Sequence, residues 1–302
     1  MSHGADSVKA IFFALSANAA IAISKFVAAY ITGSGSMLAE AVHSSADCGN
    51  QLLLLLGLKR AKQPPSEEYP LGFGKEIYFW SFIVALLLFS MGGLFSVYEG
   101  WHKLHAPEPL NQAWVALVVL GFSIILETFS LLGALKEIRR IRGNKPFWEW
   151  LRHTRNAELV VVLGEDNAAI LGLILAFVFV LAATITGNPI YDAAGSICIG
   201  VILITISVFI GWRIKALIVG HSAEPELQTL IETIVAEDEN IDACLNTITM
   251  QFGPQVMLAL KLKMKPGISI ETAAEQINAL ERKIKEQIPS ITWCFVEPDV
   301  ID

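Results

Sequence analysis

The chain of 302 residues is 54% hydrophobic and only 17% charged, with a formal net charge of −7. Ordinary soluble domains carry about 25% charged residues, so this composition cannot clothe a water-soluble protein of the same size. Its acidity argues against nucleic acid as a partner and suits a cation.

The charges are unevenly placed. Residues 1–221 hold 16 Lys/Arg against 15 Asp/Glu, whereas residues 222–302 hold 6 against 14. The first part also contains long uncharged runs, such as 113–126 and 197–210. That is the pattern of a membrane part followed by an acidic, water-soluble part. The cysteines Cys48, Cys198, Cys244 and Cys294 form no CxxC pair. Neither a disulfide framework nor a structural zinc knot is indicated, and a reducing compartment for the tail is the simplest expectation.

A membrane span needs about 20 mostly apolar residues. Six segments qualify: 11–32, 36–58, 77–98, 113–135, 158–184 and 191–212. The first carries Lys25 and runs into Gly33-Ser34-Gly35-Ser36, a tight turn before the next span, so it reads as a span and not as a cleaved signal peptide. Lys59, Arg60, Lys62 and Lys75 follow span two, and a basic run from Lys136 to Arg155 follows span four. The opposite side offers only Lys103. The bias predicts both termini on the cytoplasmic side of an inner (plasma) membrane.

The tail reads as helix, strand, strand, helix, strand. Residues 224–237 have helical spacing; 244–252 and 255–264 are β-rich runs joined by Gly253-Pro254; Ser269 can cap a helix reaching Gln287; 291–296 closes as a strand. The expected fold class is an α-helical membrane protein with six transmembrane helices and a small cytoplasmic α+β domain of αββαβ order. The expected domains are 1–217 and 218–302.

Ionisable groups at membrane depth are costly and usually functional. Span two holds Glu40, His43 and Asp47 at i, i+3 and i+7, which places them on one helical face, and Asn50 extends the stripe. Span five holds Glu165 and Asp166, whose neighbouring side chains diverge by about 100°. Glu127, Asn18, Lys25 and Glu99 complete the polar set of the other spans. Lys25 is expected to pair with Glu127 or Glu99 in a structural role. An imidazole with two or three carboxylates suits a divalent cation such as Zn, Fe(II), Mn or Co. Clustered carboxylates in low dielectric need a cation or protons to neutralise them. A metal that displaces protons couples the two fluxes. The metal ligands expected on these grounds are His43, Asp47 and Asp166, with Glu165 beside them. Glu40 and Asn50 are secondary, Glu40 lying close enough to the outer end of its span to act as a helix cap. An intramembrane metalloenzyme is the contrasting reading, but no HExxH or GxSxG pattern supports it.

At these residues the chain resembles the cation diffusion facilitator family. The stretch from Gly33 to Asp47, GSGSMLAEAVHSSAD, is similar to the family's approach into span two, with His43 and Asp47 at its metal pair. Tyr69-Pro70-Leu71-Gly72-Phe73-Gly74-Lys75 is similar to the loop that follows. The resemblance implies a homodimer, held partly by its C-terminal domain, that exports divalent metal, most often Zn²⁺, in exchange for protons. It implies no catalytic cofactor; the metal is cargo, held between spans two and five. Two departures stand out. Val162 occupies the position of the first span-five ligand, with Glu165 next to Asp166 instead, and Tyr69 and Phe73 replace the loop histidines. The pattern fits a divergent branch related to mitochondrial-type zinc transporters. A harder ligand set of this kind could favour Mn²⁺, Fe²⁺ or Co²⁺, or leave a transport-impaired sensor or scaffold on the same fold.

Overall fold

The computed structural model describes residues 3–301, with side chains from Asn18 onward; the side chains of residues 3–17, and with them His3 and the start of the first expected span, lie outside the described residues. Six long helical stretches carry the first part: α1 (His3–Thr32), α2 (Gly35–Ala61), α3 and α4 (Glu76–Leu87 and Phe95–His105) joined by a π-helical segment, α5 (Ala113–Arg142), α7 (Ala157–Thr186) and α8 (Ile190–Val219), with the short α6 (Phe147–His153) between α5 and α7. Four of them, Glu76–His105, Ala113–Arg142, Ala157–Thr186 and Ile190–Val219, are each 30 residues long and apolar enough to cross a membrane, and the described part of α1, Asn18–Thr32, is apolar as well. At 1.5 Å per residue, 30 residues reach about 45 Å, beyond the ~30 Å hydrocarbon layer. Helix α2 is long enough but carries Glu40, His43, Asp47 and Asn50 in its body, and these cost it the apolarity of the others.

The lipid-facing surface is visible on α5. Val118, Phe122, Ile125, Phe129 and Leu132 are all exposed and recur at helical spacing, a stripe suited to acyl chains. The opposite requirement, close approach of backbones, is met by small residues. A Cβ on Gly100 of α4 would stand 2.6 Å from the Ala193 carbonyl of α8, so only glycine permits that crossing. The π-helical segment Leu88–Leu94 (LFSMGGL) lies one helical stretch earlier in the same span. Such segments insert one residue into the helix and often mark functional positions; here Gly92 points toward the His43 ring, its missing Cβ 3.7 Å from Nδ1.

These helical parts form one compact unit, Met1–Gly57 with Trp80–Asn144 and Glu158–Ile214. The second unit gathers Lys215–Asp302 together with Leu58–Phe79 and Lys145–Ala157, the two basic stretches after spans two and four. Its centre is the expected αββαβ order: α9 (Pro225–Ala236), β1 (Ile241–Phe252), β2 (Gln255–Met264), α10 (Ile270–Gln287) and β3 (Ile291–Pro298). The sheet order is β1-β2-β3, antiparallel between β1 and β2 and parallel between β2 and β3. The parallel pair requires a crossover, which α10 supplies.

Alternation on β2 buries Val256, Leu258, Leu260 and Leu262 under Ile231, Ile234 and Val235 of α9 and Leu280 and Ile284 of α10. Ser269 caps α10 as its sequence indicates, its hydroxyl accepting from the Thr272 amide at 3.1 Å. The loop stretches dock on this core. Arg155 donates from Nε to the Ser222 carbonyl at 2.8 Å. Tyr78 donates its hydroxyl to the Gly253 carbonyl at 3.3 Å, and Lys75 Nζ lies 4.7 Å from the Phe252 ring centroid. Gly74 and Gly253 touch backbone to backbone, leaving no room for a Cβ on either. Tyr69 and Phe73, at the positions where the resemblance would have histidines, come together as an aromatic pair with centroids 4.6 Å apart.

Candidate metal centre

The site is built on α2, and α2 is fixed at its first turn. A helix begins with amide groups that have no intrahelical partner. Here Asp192, at the start of α8 and only 2% exposed, accepts from the Gly35 amide at 2.6 Å and the Ser36 amide at 3.2 Å. The Ser34 hydroxyl accepts from the Met37 amide at 3.1 Å while donating to Asp192 at 2.6 Å. Lys103 reaches the Gly33 carbonyl in the same turn. The negative carboxylate also sits at the positive end of the helix dipole. Its sequence context does not single out Asp192, because at the edge of a span it resembles any solvated loop charge.

From this anchored start, α2 presents its polar stripe to the bundle interior. Glu40, His43 and Asn50 are wholly buried, and Asp47 is 20% exposed. His43 Nε2 and Asp47 Oδ2 stand 3.5 Å apart, the i,i+4 pair anticipated from spacing. Beside Asp47 lies a cavity of about 100 Å³ lined by Asn18 and Ile21 of α1, Ser44, Asp47 and Gln51 of α2, Glu127 and Ser130 of α5, and Val162, Glu165, Asp166 and Ala169 of α7. A water occupies about 30 Å³ of liquid, so the space suits one ion with part of its hydration. Asp47, Glu165 and Asp166 therefore share one cavity as the sequence led one to expect; His43 stands behind Asp47 and outside the lining. Val162 lines the cavity too, so the missing span-five ligand is missing from the wall itself.

The other candidates are differently engaged. Asn50 donates from Nδ2 to Glu165 Oε1 at 2.6 Å, tying α2 to α7. Glu40 is held by Lys25, whose Nζ lies 3.3 Å from Oε2, and Lys25 also donates to the Ser44 hydroxyl at 2.6 Å. This corrects the expectation that Lys25 pairs with Glu127 or Glu99: although α1 packs on α5, the Lys25 side chain turns to the carboxylate and hydroxyl that α2 offers one turn apart. Glu127 is thereby left to the cavity. Asn18, Ser44, Gln51, Glu127 and Ser130 are the polar lining residues beyond those expected from sequence; Gln51, four residues beyond Asp47 on the same face, carries a signal that periodicity could have used.

Buried polar atoms in proteins nearly always have partners. Both ring nitrogens of His43, Asp47 Oδ1, Asn50 Oδ1 and Asp166 Oδ2 are buried without a hydrogen-bond partner. Among the described residues, no three His, Cys, Asp or Glu side chains meet closely enough to hold a metal ion as they stand. The arrangement is thus a set of acceptors around a cavity with four carboxylates and, among the described residues that line it, no cationic side chain. Such a wall attracts a cation and offers it oxygen donors, with the His43 imidazole standing behind Asp47.

Comparison with known proteins agrees with this chemistry. The family described as the cation efflux transmembrane domain matches residues 11–217. The chain is 34% identical, over 96% of its length, to the mouse (Mus musculus) "Proton-coupled zinc antiporter SLC30A9, mitochondrial", and covers 58% of that protein. It is 30% identical to "Metal tolerance protein C4" of Arabidopsis thaliana over 82% of its own length and 55% of the plant protein. A more distant relative, 23% identical over 92% of the chain and 89% of the other, is "Magnetosome protein MamB" of Paramagnetospirillum magneticum. The chain spans little more than half the length of the first two. With its helices, its cavity and this match in hand, the chain belongs to the cation efflux family of membrane transporters, the cation diffusion facilitators.

Proposed function

We propose that the chain is a secondary transporter that exports a divalent cation, Zn²⁺ foremost, from the cytoplasm in exchange for protons. The observation that carries the reading is the cavity between α2 and α7, which Asp47, Glu165 and Asp166 line together, Asp47 and Asp166 each with a buried oxygen that has no partner and His43 beside Asp47. His43 and Asp47 hold the ion from α2, and Asp166 from α7. Glu165, already engaged by Asn50, completes the shell or carries the returning proton. Because the donors are not yet converged, ion binding would draw α2 and α7 together by a small shift. A site that must close on its ion and release its protons to do so couples metal flux to proton flux.

The zinc assignment draws on the name of the mouse relative, since two or three carboxylates with one imidazole would also accept Mn²⁺, Fe²⁺ or Co²⁺. The transmembrane domain is assigned to 1–217 and the cytoplasmic domain to 218–302, with both termini inside and a homodimer joined partly through the C-terminal domains. Equilibrium binding of Zn²⁺, Mn²⁺, Fe²⁺ and Co²⁺ to purified protein tests the site. Asp47→Asn and Asp166→Asn should each weaken binding of the preferred ion at least 100-fold. Undiminished binding in both variants would remove the cavity as the transport site.

A further inference from the structure

The Lys25–Glu40 pair is placed where it can govern the ion site without touching the ion, an inference that rests on the cavity reading above. Lys25 is wholly buried in α1, and a buried ammonium persists only if it is paired. Its partners lie one turn apart on α2: Glu40 Oε2 at 3.3 Å and Ser44 Oγ at 2.6 Å. Ser44 also lines the cavity, so one hydroxyl connects the ammonium with the cavity wall. On its other side Glu40 is pressed against α7, because a Cβ on Gly172 would overlap Oε1. That oxygen is buried and has no hydrogen-bond partner. Glu40 is thus a fifth carboxylate near the cavity, three residues before His43 on the same helical face, and half of it is unused.

We infer that Lys25 is a tethered internal cation whose task is to occupy Glu40, keeping that carboxylate out of the metal shell and so limiting how tightly the ion is held. A transporter must release its cargo. One additional carboxylate free to turn toward His43 and Asp47 would deepen the site, and an ammonium fixed on Glu40 prevents it. Lys25 is in this sense a positioning residue: it acts on the cargo through Glu40. The field of the ammonium acts in the same direction, since a positive charge one hydroxyl behind the cavity wall, at Ser44, opposes a divalent cation inside.

The test is Zn²⁺ affinity of the full chain in detergent, measured by competition with a chelating dye, for wild type, Lys25→Met, Glu40→Gln, the double variant and Asp47→Asn. Lys25→Met should bind Zn²⁺ at least about 10-fold more tightly while transporting it more slowly. Glu40→Gln, which leaves the ammonium uncompensated, should bind at least about 10-fold more weakly. The double variant should return to within about threefold of wild type. A merely structural ion pair would lower stability without moving affinity. Equal affinity in wild type and Lys25→Met therefore overturns the inference, as does a double variant no closer to wild type than the single ones. If Lys25→Met fails to fold, Glu40→Gln decides alone, and unchanged affinity there is the contrary result. Asp47→Asn separates the two levels. Loss of binding in Asp47→Asn alongside an unmoved Lys25→Met sinks only this inference, whereas tight binding in Asp47→Asn sinks the site and the inference together.

Discussion

Replacing Asp192 by Ala should be among the more damaging single changes in the membrane unit, although the residue lies at the very end of a span, in the first turn of α8. In the native structure its carboxylate satisfies the Gly35 and Ser36 amides at 2.6 and 3.2 Å and receives the Ser34 hydroxyl at 2.6 Å. The hydroxyl can turn elsewhere, so the substitution strands two buried amide donors at about 1–3 kcal/mol each. It also removes a negative charge from a helix N-terminus, worth about 0.3–1 kcal/mol. About 3 kcal/mol is a conservative total. At about 2–4 °C per kcal/mol for a chain of a few hundred residues, the melting temperature should fall by roughly 6–12 °C. Tryptophan fluorescence of purified protein during heating reads this directly, the chain having 7 Trp. Asp192→Asn keeps one acceptor oxygen and should lose about half as much. Asp299→Ala, which removes a part-exposed pair with Lys261 and a hydrogen bond from the Val300 amide near the chain's end, should lower the melting temperature far less. An Asp192→Ala protein melting within about 2 °C of wild type would refute the argument that this carboxylate anchors α2.

Further outcomes follow from the second unit. Gly253 has φ +59°, and a Cβ there would lie 2.5 Å from the Gly74 carbonyl. Gly253→Ala should therefore weaken the docking of the 58–79 loop by about 2 kcal/mol, which corresponds to roughly 30-fold faster limited proteolysis within that loop; unchanged protection would contradict it. Cys294 is buried against the α10 face, and burial pushes its thiol up to about 11, whereas Cys244 is exposed on β1. At pH 8 only about one Cys294 in a thousand is thiolate, so iodoacetamide should label Cys244 and spare Cys294, with Cys294 labelling rising only as the pH approaches 11; equal labelling at pH 8 would show the strand to be open. Ser269→Ala should cost about 1 kcal/mol through the lost cap on α10, seen as a lower denaturant midpoint for the C-terminal unit, and no change would remove the cap from the account.

Much of this arrangement is readable from residue order, for reasons that differ by element. The long helices follow from length and apolarity, α2 among them, although the polar stripe in its body makes it less apolar than its neighbours. The His43–Asp47 pair and the burial of Asn50 follow from helical periodicity, since both partners of the pair lie on one helix. The strands of the C-terminal unit follow from alternation, most plainly on β2, where Val256, Leu258, Leu260 and Leu262 turn inward. Contacts between helices are another matter. That Lys25 meets Glu40, that Asp192 caps α2, and that Glu127 faces the cavity depend on rotation and offset of packed helices, which periodicity on one helix does not fix. The π-helical segment Leu88–Leu94 leaves no more trace in sequence than two adjacent glycines. The docking of 58–79 and 145–157 on the C-terminal core was likewise hidden, their basic residues reading only as topology markers.

The most direct test of the central claim is flux. The full chain, reconstituted in vesicles loaded with a metal-sensitive dye, is given an imposed proton gradient, and Zn²⁺, Mn²⁺, Fe²⁺, Co²⁺ and Cd²⁺ are compared for wild type, Asp47→Ala and Asp166→Ala. The account predicts metal movement that depends on the gradient, runs against proton flow and is lost, by at least 100-fold, in both variants. Protein that is folded yet moves none of these ions, or that moves them equally well without Asp47 and Asp166, would contradict it.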